Sequence, residues 1–404
     1  MKDAMRKLVL SVSLTLLLVA AACGSAPTQE EAAPAPADET DAPAATEQAP
    51  TGAESTETAG SAAEPGSFEA IYAEIEGLDP EARQERLIEL AEEAGGTVNV
   101  YSTMNGEEGP ESIALFEEQT GLNAEFYRAS ATDVLNRVLQ ENAADYANGA
   151  DVVTSNGTEM ILLEREGMLA PVNTIAEEDE GFPEDAFGER WAWTYLNVFT
   201  PIWNTNTVTE GPTTWTEVLT NYPGQVVYDP GDWDWMAGVV PVLMEENGIS
   251  EEEAMTMVGE AIGEAAAMVA GHTAMAQFVA SGQYDISGTS YHSNGVDLKN
   301  EGAPVEWEPP VDPLIVRPNA AGLNIDAPNP AGAILFLDFF LTDAQEIMAK
   351  HGRQPANLDT PGGTLPPEYN TIVIDLEQLV DNQEKWESAY TEFVQNSGLP
   401  VQEG

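Results

Sequence analysis

Tyr291 and His292 stand side by side in SGTSYHSNG, residues 287–295, directly after the apolar run QYDI. A phenol oxygen beside an imidazole nitrogen can ligate a metal, contact an organic ligand, or tie the loop to a neighbouring carbonyl. Toward an organic ligand each ring offers a donor and an acceptor. Thr289 lies in the same loop. A second cluster, DWDW at 232–235, sets two indoles beside two carboxylates. Asp232, Trp233, Asp234 and Trp235 can cage a cationic amine through ring faces and charge. Their plainer role is a helix-capping aspartate with one tryptophan turned into the core. Trp191, Trp193 and Tyr195 form a third aromatic group, facing a cleft or packed beneath a hinge. Arg317 and Arg128 are among the few cations of the chain. Either can clamp a carboxylate or phosphonate, or pair with a nearby acid.

These residues need elements to position them, and the pattern supplies an α/β alternation. Phe68, Ile71, Tyr72 and Ile75 make one helical stripe, and Leu87, Leu90, Ala91 and Ala94 make a second after the cap Asp79-Pro80. Strand TVNVY follows, then helix PESIALFEEQTG, strand LNAEFYRA, helix ATDVLNRVLQENAADY, strand ADVVTS and helix TEMILLEREG. Such alternation predicts a parallel sheet with helices on both faces and ligands at the carboxyl ends of the strands. Residues 102–106, with Thr103 and Asn105, and 154–158, with Ser155 and Asn156, then share one rim. A second unit has strand GQVVYDP, a helix from DWDW to Gly248, another helix over SEEEAMTMVGEAIGEAAAMVAG, and strands QYDIS and APVEWEPP. PLIVRPNAAGLNI crosses back, two short helices meet near Leu341, and a last helix covers about 376–394. Chain crossings fall near 198–206 and 308–320, and no repeat of fixed period is present.

The ends and the composition bound the setting. Lys2, Arg6 and Lys7 precede an apolar run too short for a membrane span, and Ala20–Ala22 lead to Cys23, the single cysteine. This resembles a bacterial lipoprotein signal over residues 1–22, with Ala20 where leucine is usual, and implies lipid on Cys23. Acyl chains bury methylenes at ~0.8 kcal/mol each, so a multiply acylated cysteine holds the protein at a membrane surface. One cysteine excludes an intrachain disulfide. Residues 23–66 are almost entirely Ala, Pro, Glu, Thr, Ser and Gly and read as a disordered tether. Seventy acidic against 14 basic residues give a net charge of −56, which excludes nucleic acid as a partner. That charge fits either a saline environment or a cationic ligand.

Several segments, in order, resemble one family. LDPEARQERLIELAEEAGGTVNVYST, ADVVTSN, EREGMLAPV, PIWNTNTV, TTWTEVLTNYPGQVVYDP, ASGQYDISGTSYHSNGVDLKNEGAPVEWEPP and FLDFFLTDAQEIMAKHGRQPAN match extracellular solute-binding proteins of ABC importers, in the iron(III)-binding and related branch. The match covers roughly 68–400. It implies an α/β, two-lobed, type II clamp with two hinge crossings. Lobe one takes residues 67–200, lobe two 201–310, and 311–404 returns to lobe one with the C-terminal helices. The resemblance also implies a small-molecule or ion ligand, a membrane permease as partner, an extracytoplasmic position, a monomer, and no cofactor. In iron-binding members adjacent tyrosines of this loop ligate ferric ion. Tyr291 matches the first and His292 replaces the second, while Asn105 and Asn156 stand where a histidine and a glutamate are usual. One phenol, one imidazole and two amides make a poor set for a hard ferric ion. The expectation is no resident metal, with bare or chelated iron as the alternative ligand. The sequence has no GxxxxGK, HExxH or GxSxG motif, and His272, His292 and His351 are scattered. A binding protein is therefore expected rather than an enzyme. A secreted hydrolase using two carboxylates and a surface sensor with the same clamp are the readings from other classes.

Overall fold

The computed structural model describes residues 64–104, 108–144, 146–366 and 368–403. Cys23, Asn105, the signal segment and nearly all of the expected tether lie outside the described residues. Among those described, no helix is long and apolar enough to cross a membrane.

The first half follows the apolar spacing closely. Ser67 and Asp79 cap α1 (Phe68–Ile75) and α2 (Pro80–Glu93) by accepting from Ala70 N and Ala82 N. Then come β1 (Thr97–Ser102), α3 (Glu108–Thr120), β2 (Asn123–Arg128), α4 (Ala131–Ala143), β3 (Val152–Asn156), α5 (Gly157–Arg165) and β4 (Leu169–Ala170). The long β5 (Ala192–Asn204) leads to α6 (Trp215–Thr220), β6 (Val226–Tyr228), α7 (Trp233–Asn247), α8 (Glu251–Gly263), β7 (Ala267–Ala270), α9 (His272–Ala280), β8 (Ile286–Tyr291), α10 (His292–Asn300) and β9 (Val305–Glu306). A second long strand, β10 (Leu314–Asn324), precedes α11 (Pro330–Leu341), α12 (Ala344–Lys350), β11 (Gln354–Pro355), β12 (Thr371–Val373), α13 (Leu376–Asp381), α14 (Gln383–Ser397) and β13 (Val401–Glu403).

The main path of the sheet is β13-β7-β6-β8-β5-β10-β3-β1-β2. Its two ends are parallel: β1 lies between β2 and β3 at one end, and β6 between β7 and β8 at the other. Two long antiparallel strands join them. β5 pairs with β10 as far as Phe199 and with β8 from Phe199 onward, so one strand serves both halves. β10 also pairs with β3. Each half has apolar helices on its sheet. In the first, α11 is buried along nearly its whole length and stacks Phe336 on Phe340 at 5.8 Å. Burying each such side chain is worth about 1.5–3 kcal/mol.

Three readings of the sequence need correction. Residues 250–271 are not one helix: α8 ends at Gly263, and β7 fills the middle of the second half. A strand buried on both faces shows a plain apolar run, which looks like a helix segment. APVEWEPP yields only the two-residue β9, paired with β5. The C-terminal segment does not stay with the first half. Asn382 separates α13, which packs on α5, from α14, which packs on α7 and α8. Trp386 and Tyr390 are the buried stripe of α14, Tyr390 Oη donates to Asp229 O at 2.7 Å, and β13 extends the sheet beside β7.

One buried acid carries a pH expectation. Asp151 is fully buried and accepts from Asn99 N at 2.7 Å and Asn329 N at 2.6 Å. Burial nevertheless pushes its carboxyl up to about 7. A folded pKa above the unfolded value means the folded chain holds the proton more tightly, so this contribution is complete below about 4 and is lost as pH rises through 7. Thermal unfolding is therefore expected roughly 5 °C lower at pH 8 than at pH 5.5. Asp151→Asn should flatten part of that slope; a midpoint that climbs with pH contradicts the burial cost.

Candidate functional site

Opposed residues on paired strands share a face, and residues two apart return to it. On β10 and β5 this places Ile315, Arg317 and Asn319 beside Phe199, Asn197 and Tyr195. Asn319 also pairs with Asn156 of β3, and Phe199 with Tyr291 of β8. One face therefore runs unbroken across the join, from the carboxyl end of β3 to that of β8. Five strands, β1, β3, β6, β7 and β8, end around it, with α5, α7, α9 and α10 starting nearby.

Arg317 is the centre of this face. Its guanidinium is bonded to Asp234 and donates to Tyr291 Oη, and it lies 5.5 Å from the Phe199 ring centroid. Burial alone discourages charge there, but Asp234 outweighs it and holds the guanidinium protonated. Tyr291 stacks on His272 at 4.1 Å, and His272 Nε2 donates to Asp232 Oδ1 at 2.8 Å. Burial raises the Tyr291 phenol well above its ordinary value, with Arg317 opposing, so the phenol stays protonated. Burial pushes Asp232 up to about 6. On His272 burial works against charge, yet the charge and hydrogen bond of Asp232 prevail and its pKa rises. On the first-half side Arg353 bonds Glu108 at 2.9 Å and lies 5.5 Å from the Tyr195 ring. Glu159, in the first turn of α5, is raised by burial despite a hydrogen bond from Thr158.

The residues singled out in the sequence do not all reach this face. Asn156, Tyr195, Asp232 and Tyr291 belong to this face or its wall. Thr103, Ser155, Trp193 and Thr289 flank it: Thr103 N donates to Thr154 O, and the other three are buried with Oγ, Nε1 and Oγ1 unpartnered among the described residues. Trp233 is half-buried at the start of α7. Trp235 and His292 point elsewhere. Trp235 is fully buried against Trp215 and Tyr228, in the core of the second half. Two residues along a helix is more than half a turn, so α7 cannot present Trp233 and Trp235 together. His292 is bonded to Thr364 Oγ1 at 2.7 Å and edges onto Trp307, and burial lowers its pKa to about 3. The adjacent Tyr291 and His292 thus diverge, and their phenol and imidazole do not converge on one point.

His272, Asn319 and Phe199 carry no role in the sequence pattern, and Asp234, expected beside Asp232 in an amine cage, bonds Arg317 instead. His272 was hidden by the misread helix; once β7 is recognised, it follows a strand end as His292 follows β8.

A family profile supplies what the geometry alone does not. The profile of bacterial extracellular solute-binding proteins matches residues 102–347. The chain belongs to that family. This solute-binding protein is the ligand-capturing component of an ABC importer and works outside the cytoplasm, with a small ligand and a permease as its partners. Among curated protein sequences none matches it. Solved structures similar to it include the ferric binding protein from Campylobacter jejuni, 16% identical with TM-score 0.62 over 73% of this chain and 99% of that one. The Trichodesmium protein solved with iron and citrate is 19% identical, TM-score 0.59, over 76% and 100%. The periplasmic binding protein AfuA from Actinobacillus pleuropneumoniae, solved with fructose-6-phosphate, is 16% identical, TM-score 0.62, over 74% and 99%. At such identities the likeness establishes the fold, a two-lobed type II clamp.

Proposed function

We propose that the solute-binding protein closes its two halves on one small organic molecule, held at the face around Arg317 and Tyr291, and releases it unaltered to the permease. The supporting observation is the chain Asp232–His272–Tyr291–Arg317–Asp234, which gathers five side chains from four separate segments across the join of the sheet. A hinged clamp needs such a join, because closure orders both halves about the ligand and removes water from it. None of the charged groups is arranged as a nucleophile with its base, which supports binding without chemistry. A single lipidated chain acting as a monomer, anchored through Cys23 outside the cytoplasm, completes the proposal.

Tryptophan emission should change on ligand addition, and Tyr291→Ala should weaken binding by about tenfold or more, since it removes a stacked ring and the acceptor of Arg317. An unchanged affinity removes Tyr291 from the site. Iron is the second reading, favoured by the neighbours from Campylobacter and Trichodesmium. Against it, the Tyr291 phenol is tied to Arg317 and held protonated, and His292 turns to Thr364. One equivalent of ferric ion should give no intense phenolate-to-iron band in the visible; a coloured complex would restore iron as cargo. For the anchor, Cys23→Ser should move the protein from the membrane fraction to the medium or periplasm.

A further inference from the structure

The site holds unpartnered groups of two opposite kinds, at opposite ends. Asp232, 2% exposed, uses Oδ1 for His272, while Oδ2 has no partner among the described residues. It stands at the N-cap of α7 yet makes no side-chain cap bond. A buried carboxylate oxygen left unbonded is costly, and an ammonium is the group that satisfies it best. At the other end Arg317 Nε and Asn319 Nδ2 are donors without a partner among the described residues. Asn319 is also 2% exposed and lies directly across from Asn156, where α5 begins without a side-chain cap bond. Two buried side-chain donors beside the positive end of a nine-residue helix suit a carboxylate. Between the ends stands the Tyr291 ring, stacked on His272 and tied to Arg317 through its phenol.

From this we infer that the ligand is a compact zwitterion, an ammonium and a carboxylate joined by a short apolar chain. Its ammonium sits on Asp232, its carboxylate on Arg317 and Asn319, and its chain along Tyr291. The inference rests on the clamp reading above and names its substrate class. Charge balance agrees. Asp232 is bonded to His272 and Asp234 is ion-paired with Arg317, so a ligand of no net charge adds no uncompensated charge on closure. A simple amine would strand the two donors, a simple carboxylate would strand Asp232, and a ferric ion would face Arg317 and a protonated phenol.

The test is calorimetric titration of the purified protein with β-alanine, γ-aminobutyrate and 5-aminovalerate. Butyrate and butylamine serve as the separate halves, with ferric citrate and glucose as unrelated cargo. At least one zwitterion should bind about 100-fold tighter than either half, because each half leaves buried polar groups unpaired. Asp232→Asn, which keeps the shape of the side chain, should cost the zwitterion about tenfold or more and leave butyrate unchanged. Asn319→Ala should weaken the zwitterion and butyrate but not butylamine. Butyrate or butylamine binding as tightly as any zwitterion overturns the inference. So does binding of ferric citrate or glucose alone, although the clamp reading then stands. A flat response to all seven compounds also overturns it, and the clamp reading is then judged separately by whether a small-molecule extract of the host alters tryptophan emission.

Discussion

Arg317→Ala is expected to abolish ligand binding and to lower the thermal midpoint by roughly 10 °C. The side chains of Arg317 and Asp234 are 11% and 7% exposed. Removing the cation leaves a carboxylate buried without its partner, at a cost of about 3–5 kcal/mol. Tyr291 loses its donor in the same step. Replacing both members by apolar residues of similar size, Arg317→Met with Asp234→Leu, removes the stranded charge. That double variant should regain most of the lost stability while binding stays absent. The contrast separates the two roles of the pair, since a merely structural ion pair would leave binding intact once stability returns. A single variant with an unchanged midpoint would mean that Asp234 is not confined by the fold.

Salt should have the other large effect. Acidic residues outnumber basic ones 70 to 14. Arginines and lysines among the described residues are already engaged in ion pairs, for example Lys299 with Glu306 and Glu308, Lys350 with Glu111, and Lys385 with Glu251. The remaining carboxylates repel one another, and such repulsion acts over ~30 Å at 0.01 M salt but ~3 Å at 1 M. Raising potassium chloride from about 0.05 to 2 M should therefore raise the thermal midpoint by roughly 10 °C or more. Sucrose at matched osmolality should raise it much less. A midpoint that falls with salt would mean that the surface ion pairs, and not the excess acid, dominate.

Much of the fold was legible because its first half alternates cleanly. TVNVY and ADVVTS are apolar runs of strand length, each followed by a helical period, and Asp79-Pro80 and Gly248 mark helix ends with a cap and a left-handed residue at φ +65°. The second half was harder where a strand has no polar face. AMVA at 267–270 carries no alternation, so it merges with α8, and His272 just beyond it is not marked as following a strand end. The site was legible only in part. Tyr291 and Asp232 could be placed at strand ends from the sequence, and Arg317 stood out as a rare cation. That Arg317 meets Asp234, 83 residues away, depends on how β10 lies against β5 and β8. Local patterns do not encode that register. Trp235 and His292 show the opposite limit: types suited to ligand contact, turned by their own backbone toward the core and toward Thr364.

The central claim is closure on cargo, and small-angle X-ray scattering tests it most directly. The protein is unfolded, freed of small molecules, refolded, and measured before and after adding the low-molecular-weight fraction of its host. The account predicts a smaller radius of gyration after addition, absent from the Arg317→Met, Asp234→Leu variant. Superimposable curves for the unsubstituted protein would contradict it.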